Sequence, residues 1–337
     1  MFFRNKAKFN FCLLIVVISI SFYNIVFSYD EKIAHPFLTR NAINLFDQNS
    51  ENKISEQESE WIIQGAIEED TPIRWMNHFY NPTNGLGIFG FQSAKSWATN
   101  SIEQMIYLEG NQSWQKAINY YAKDDKREAF IALGHILHLI EDMAVPAHTR
   151  SDDHAGGDPY ESWVKKNSHG NFNVTLINFN SLNEYFDNLA GYSNKYFLSE
   201  DSVYISDLST KEQFIKTTDQ GNFRCIRSEY NHCLILIKKE LGKDKYFFEA
   251  PVHSDYYSLL APKAISYGAG VIDLFFKEAE KEKQKLQEKS FFEKLKEIFL
   301  GSNIPATSQT AGPGFLLADD VRHSVSNNDD GAVEVTT

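Results

Sequence analysis

Cysteine is scarce in this chain, with three among 337 residues. That excludes a cysteine-rich disulfide scaffold, and a cysteine zinc site finds too few ligands, since only His232 lies near Cys225 and Cys233. Basic charge is also short: 33 Lys and Arg stand against 45 Asp and Glu, a net of −12. A protein that grips nucleic acid through its phosphates needs a basic face, so this balance argues against a non-specific polyanion binder. It leaves open a metal site, which needs clustered carboxylates. No internal repeat is found, and beyond the N-terminus no second apolar run of membrane length. What abounds is large apolar surface: 42 % hydrophobic and 14 % aromatic residues, with 26 Phe and 16 Tyr. Such a chain buries a sizeable core and is not globally disordered. Its length suits one large domain or two modest ones.

The N-terminus reads as a signal peptide over residues 1–28. Arg4, Lys6 and Lys8 precede a mostly apolar stretch from Phe9 to Phe22, and Val26-Phe27-Ser28 suits a cut after Ser28. A membrane anchor is the alternative, for which the run is rather short. Cleavage would remove three cations and no anion, taking the net charge from −12 to −15. It would also remove Cys12. Cys225 and Cys233 then remain in an exported chain, where a disulfide closing a small hairpin is expected and two free thiols are the alternative.

Helical spacing runs over Ala34–Phe46, Ser55–Glu68 and Lys126–Met143, the last ended by Pro146. Ser93–Ala122 makes one or two helices, His78–Phe91 is loop-like, and residues 151–159 form a polar loop before helix resumes near Tyr160. Alternation at Asn171–Phe179 and Phe223–Ile237 predicts short strands. Tyr256–Glu280 predicts a long closing helix, and Lys277–Leu300 an amphipathic one, packed on the body or touching a membrane surface. Residues 301–337 predict a disordered polar tail.

The chemistry concentrates in the run Leu133–His148. His138 and Asp142, four apart in an apolar helix, project from one face about a turn apart. Burying an imidazole and a carboxylate there is costly unless something pairs with them. A zinc ion does so; a plain His–Asp hydrogen bond is the alternative. His135 shares the stripe as a ligand, a supporting donor or a core histidine. A second segment brings Asp70 at a helix end and His78 at the start of an aromatic loop. A third carries His154 and Glu161, and His35 lies near the mature N-terminus. Six of the ten histidines fall in the first half, most of them beside an acidic residue, a turn or a helix start.

His138-x3-Asp142-x5-His148, with His78-Phe-Tyr-x-Pro82 before it and an acidic helix start after it, resembles the bacterial zinc-dependent phospholipase C family, whose fold the single-strand-specific zinc nucleases share. The resemblance covers roughly residues 30–165 and resumes weakly over Tyr256–Phe276. It implies an all-α bundle, here with a small β-hairpin insertion at about 170–250, as one domain spanning 29–300. It implies three clustered Zn2+ ions. One would take Asp70, His78, His138 and Asp142. The second would take Asp142 as a bridge, His35, and the amine and carbonyl of the mature N-terminal residue, Tyr29. The third would take His148 and Glu161.

Three departures from the family pattern bear on this set. Tyr29 stands where the family begins with Trp. Asp70 and His78 are closer in sequence than in well-known members, so Glu69 is the fallback for Asp70. Gly157 occupies a usual histidine position, which leaves His154 or Asp158 to complete the third site.

The implied activity is secreted or periplasmic phospholipase C-type hydrolysis by a zinc-activated water. Asp70 is the candidate general base, and Trp75, Phe79 and Tyr80 are candidates for the headgroup wall or for the core. Partners are a phospholipid or other phosphodiester, with peripheral membrane contact, no stable nucleic-acid partner, and a monomeric state. The alternatives are a nuclease or nucleotidase on the same metals, or a non-catalytic exported zinc-binding protein.

Overall fold

The computed structural model describes residues 32–301 except 72–73, 107–109, 155–156, 204–207 and 209–210. The segment expected to be a signal peptide, Tyr29 and, from residue 302 onward, the expected polar tail lie outside the described residues. Helix α1 (Ala34–Asn49) buries the expected stripe of Leu38, Ala42, Leu45 and Phe46. Helix α2 (Glu56–Glu68) starts on a capping box: Ser55 Oγ accepts from the Glu58 amide, and the Glu58 carboxylate accepts from the Ser55 amide. A short 3-10 turn, Arg74–Asn77, leads into the His78 loop. The next stretch breaks into three short helices rather than one or two: α3 (Ala94–Trp97), α4 (Ser101–Gln104) and α5 (Trp114–Ala122).

Helix α6 (Lys126–Asp142) is the axis of the fold. Every residue from Ala129 to Asp142 is buried, as expected for a helix surrounded on all sides. Pro146 does more than end it. With no amide to lose at a first helical position, it opens the one-turn helix α7 (Pro146–Thr149) that carries His148. Helices α8 (Pro159–Asn167) and α9 (Leu182–Tyr196) follow; the second of these had no clear sequence signal.

Two glycines set how closely α2 and α6 cross. A Cβ on Gly134 would lie 2.0 Å from the Ile62 carbonyl oxygen, and one on Gly65 1.9 Å from that of Ile131. Only glycine allows backbones to touch in this way. The contact brings the C-terminal end of α2, with Glu69 and Asp70 just beyond it, against the histidine face of α6.

Residues 171–179 form no strand, contrary to the alternation. Phe172, Val174, Leu176, Ile177 and Phe179 anchor an extended segment on the core without a ladder partner. The expected hairpin is the middle of a larger antiparallel sheet, ordered β1 (Gln213–Thr218), β2 (Gly221–Arg227), β3 (Cys233–Glu240) and β4 (Lys243–Phe247). The outer strands lie outside that expectation: in β1 Ile215 is 58 % exposed while Lys216 is half-buried, and β4 opens on exposed Lys243, Asp244 and Lys245. A disulfide joins Cys225 to Cys233 across β2 and β3, beside a register shift at Ile226/Arg227.

The long helix α10 (Ala250–Gly301) starts six residues before the expected Tyr256 and runs through Pro262 without ending. It holds the sheet: Asp255 accepts from the Cys233 amide at 2.7 Å, and Tyr256 donates to the Leu234 carbonyl at 2.8 Å. By length and composition α10 could cross a membrane, so a second such run does exist, but 78 % of that stretch is buried within the protein. The described residues fall into two compact units, parted after Lys289. In the second, Phe291 and Phe292 are exposed.

Candidate metal centre

Seven segments of the chain bring the candidate ligands together. The first turn of α1 supplies His35, the turn just after α2 supplies Asp70, and the following loop supplies His78. The last two turns of α6 supply His138 and Asp142. Helix α7 supplies His148, the next loop His154, and the first turn of α8 Glu161. All eight are buried, at 7 % exposure or less. They fall into three groups whose ligating atoms lie within 4.8 Å of one another: His35, His138 and Asp142; Asp70, His78 and His138; His148, His154 and Glu161.

The separations test whether these groups suit zinc. Two atoms each about 2.0–2.2 Å from a tetrahedral ion stand about 3.3–3.6 Å apart. Nε2 of His138 lies 3.5 Å from Asp70 Oδ1, 3.3 Å from Asp142 Oδ2 and 3.3 Å from His78 Nδ1. His78 Nδ1 lies 3.6 Å from Asp70 Oδ1 and 3.0 Å from Asp142 Oδ2. Asp142 Oδ1 is 3.6 Å from His35 Nε2, and its Oδ2 is 3.6 Å from His148 Nδ1. His148 Nε2 is 3.2 Å from Glu161 Oε1, and His154 Nε2 is 3.8 Å from Glu161 Oε2. Neither oxygen of the buried Asp70 carboxylate has a hydrogen-bond partner. A carboxylate left thus in a dry interior, facing imidazole nitrogens, is the arrangement a divalent cation stabilises. The donor set fits zinc.

A surrounding layer fixes which nitrogen each ring presents. His35 places Nδ1 2.7 Å from Glu141 Oε2, and Thr39 donates to the other Glu141 oxygen at 2.8 Å. His138 Nδ1 is 2.6 Å from the Ala66 carbonyl, made reachable by the glycine crossing. His154 Nδ1 is 2.9 Å from the Asp152 carbonyl. His138 and His154 donate Nδ1–H outward to carbonyl oxygens, His35 turns Nδ1 to Glu141, and all three rings present Nε2 toward the cluster. His78 is reversed: Nδ1 faces the cluster, and Nε2 stands 3.8 Å from Glu69 Oε1.

Charge follows the same geometry. Burial pushes Asp70 up to about 6 against the pull of His138 and His78. Burial opposes charge on His78 too, but Asp142 and neighbouring carboxylates raise it to about 9. Asp142 and Glu161 likewise hold His148 well above the ordinary imidazole range, against its burial. Burial and the neighbouring His138 keep His35 well below it. Without a cation, protons hold this cluster of carboxylates and imidazoles together.

Several candidates sit elsewhere. Glu69 faces Arg74, Trp97 and His135: both Nε and Nη2 of Arg74 donate to its Oε2, at 2.8 and 2.6 Å, and Trp97 Nε1 donates to its Oε1 at 2.8 Å. His135 is thus a partner of Glu69 and stands in none of the three groups. Asp158 caps α8 by accepting from the Glu161 amide at 2.8 Å, whereas His154 joins the group. Phe79 is buried, its ring 4.6 Å from that of His148. Tyr80 is buried with its hydroxyl donating to Asp187, and Trp75 is half-buried. Sequence reasoning missed Glu141 and Thr39; the one available signal was an ionisable Glu141 inside an apolar helix run.

Among curated proteins no sequence matches this chain. Among solved structures, the alpha toxin of Clostridium absonum superposes at a TM-score of 0.48 with 14 % identity, covering 75 % of this chain and 66 % of that one. The Clostridium perfringens alpha-toxin from avian strain SWCP gives 0.46 and 12 %, covering 75 % and 65 %. The chain therefore spans just under two thirds of these toxins' length. Residues 34–226, more than half of the chain and including all eight clustered candidate ligands, match the profile of zinc dependent phospholipase C; the chain belongs to the zinc dependent phospholipase C family.

Proposed function

We propose that this chain is an exported phospholipase C-type hydrolase that holds three zinc ions and cleaves a phospholipid between its glycerol oxygen and phosphorus. The observation that carries the reading is the Asp70 carboxylate, buried, with both oxygens unpartnered and Oδ1 3.5–3.6 Å from His138 and His78. The first ion would rest on Asp70, His78, His138 and Asp142. The second would rest on Asp142, His35 and the residue 29 backbone, and the third on His148, His154 and Glu161. Zinc bound there supplies charge beside the phosphoryl oxygens and a water acidic enough to attack near neutral pH.

The chain's own residues do the rest. Asp70 takes the proton of the attacking water through an oxygen not used as a ligand. Glu141 and the Ala66 carbonyl keep His35 and His138 in one tautomer. The new bond joins water oxygen to phosphorus; the bond broken releases the diacylglycerol oxygen, which takes up a proton. Trp75 is the aromatic candidate for a headgroup wall that keeps part of its ring accessible. The reading as exported rests on the charged and apolar N-terminal segment and on the Cys225–Cys233 disulfide, a bond of oxidising compartments.

The test is elemental mass spectrometry on the mature protein beside a phosphatidylcholine hydrolysis assay, with the double variant His138→Ala/Asp142→Ala as control. About three zincs per chain, lost in the control together with diacylglycerol release, is the expected result. A zinc-free wild type after gentle purification would overturn the proposal.

A further inference from the structure

The loop that carries His78 into α3 is unusual in what it exposes. None of residues 75–94 is Asp, Glu, Lys or Arg, in a chain that is 23 % charged. Within that stretch Leu86 is 62 % exposed, Phe89 70 % and Phe91 40 %. The loop is not loosely attached. The Tyr80 amide donates to the His148 carbonyl at 3.0 Å, Asn81 pairs with Leu86, and Asn81 Nδ2 donates to Ser151 Oγ at 3.0 Å. Buried Ile88 anchors the far side, and the Ala94 amide donates to the Phe79 carbonyl at 2.9 Å. The apolar tip is therefore fastened to the segments bearing His78 and His148.

Phe89 also sits in a backbone conformation that does not suit it. Its φ is 51° and that of Gly90 is 83°, in a tight turn closed by the Phe91 amide donating to the Ile88 carbonyl at 2.9 Å. The left-handed region is accessible to Gly and tolerated by Asn or Asp, but is strained for a bulky side chain. A phenylalanine here strains the backbone and leaves its ring in water, with no return inside the folded protein. Such residues cluster where a surface is used.

We propose that the Leu86, Phe89 and Phe91 tip docks this protein on a zwitterionic phospholipid bilayer, entering the apolar layer beneath the headgroups. The proposal rests on the phospholipase C reading, because a bilayer-resident substrate requires the site to meet a lipid surface. The uncharged loop fits that partner. The mature chain carries a net charge near −15, read with the cut after Ser28, and headgroup phosphates would repel an acidic face but not this one. Apolar rings at a loop tip gain by burial at the headgroup boundary.

The test uses Phe89→Asn, alone and with Phe91→Ser. Asparagine relieves the left-handed strain, so the single variant keeps or raises the melting temperature and keeps its zinc. Co-sedimentation with phosphatidylcholine vesicles should fall by about tenfold or more in the double variant. Hydrolysis of a short-chain phosphatidylcholine, dissolved below its micelle threshold, should be unchanged. Phe89→Trp should shift its emission to the blue on adding the same vesicles. Vesicle binding equal to wild type in the double variant would overturn the docking proposal, as would loss of self-association with no change in lipid binding. No hydrolysis of the soluble substrate by wild type would instead overturn the phospholipase reading, whatever the vesicles show.

Discussion

Glu141 Oε2 lies 2.7 Å from His35 Nδ1, and the ring beyond it presents Nε2 to Asp142 at 3.6 Å. The carboxylate thus reaches the candidate cation through an imidazole. Burial pushes Glu141 well above the usual carboxylate range, so a cation on His35 is what favours the ionised acid with the proton on Nδ1. Glu141→Ala should weaken zinc binding by about 10–100-fold, the usual cost of losing such a partner. Glu141→Gln, which still accepts from Nδ1–H, should recover much of it. Competition against a chromogenic chelator measures both, and equal affinity in all three proteins would show that Glu141 only fills space.

Gly134 and Gly65 suggest a different failure. Adding a methyl at Gly134 sets it 2.0 Å from the Ile62 carbonyl oxygen, and that oxygen belongs to backbone that cannot swing aside. Gly134→Ala should destabilise the protein by about 3 kcal/mol, at the upper end of overpacking costs. Spreading α2 from α6 should also draw the Ala66 carbonyl off His138 and lower zinc affinity. Denaturant unfolding and metal titration read the two effects. A fully stable Gly134→Ala protein would mean that the helices do not touch here.

How much of this was legible in the sequence depends on the range of the interaction. His138, Asp142 and His148 announce themselves because ionisable groups at helical spacing in an apolar run need a partner. Ser55–Glu68 reads as a helix because the apolar spacing that marks it is local. The Glu141–His35 pair spans 106 positions and carried no local signal. Residues 171–179 misled because alternation reports one apolar face, and anchoring on the core produces that face as well as a sheet does. Strand β1 carries no such signal because its burial runs against its polarity, with Ile215 exposed and Lys216 half-buried, and β4 opens on three exposed polar residues.

Metal binding should release protons. His78, raised to about 9, and His148, raised well above its ordinary value, hold protons at neutral pH in the metal-free protein, while His35 is held well below and is already neutral. Zinc takes only the neutral ring, so it must displace those protons. Lowering pH adds proton competition and weakens binding, and raising pH through about 9, where His78 loses its proton, strengthens it. Adding zinc to chelator-stripped protein at pH 7.5 in weak buffer should release protons, read with an indicator dye. No release would contradict the charge state assigned to these rings.

The disulfide should matter to the sheet and not to the metals. Cys225 and Cys233 are eight apart, a short loop whose closure contributes about 2–3 kcal/mol on chain-entropy grounds. Cys225→Ser/Cys233→Ser should lose stability of that order and keep its zinc content. Loss of zinc in that variant would tie the insertion to the site, which no contact described above does.

His154 and Asp158 separate two ways of replacing the histidine that Gly157 displaces. Both side chains are buried next to Glu161, yet they do different work. Asp158 Oδ1 accepts from the Glu161 amide at 2.8 Å and begins α8. His154 donates Nδ1–H to the Asp152 carbonyl at 2.9 Å, which leaves Nε2 toward Glu161 at 3.8 Å. The backbone at His154 is itself left-handed, with φ of 32°, a conformation histidine adopts more readily than most residues. His154→Ala should therefore remove about one zinc of three with little loss of stability, because the ring contributes mainly to the metal. Asp158→Ala should cost about 1 kcal/mol through the lost cap and leave the zinc count unchanged. The reverse pattern, zinc lost with Asp158 and kept without His154, would move the third site onto the α8 cap and make His154 a packing residue against Phe79.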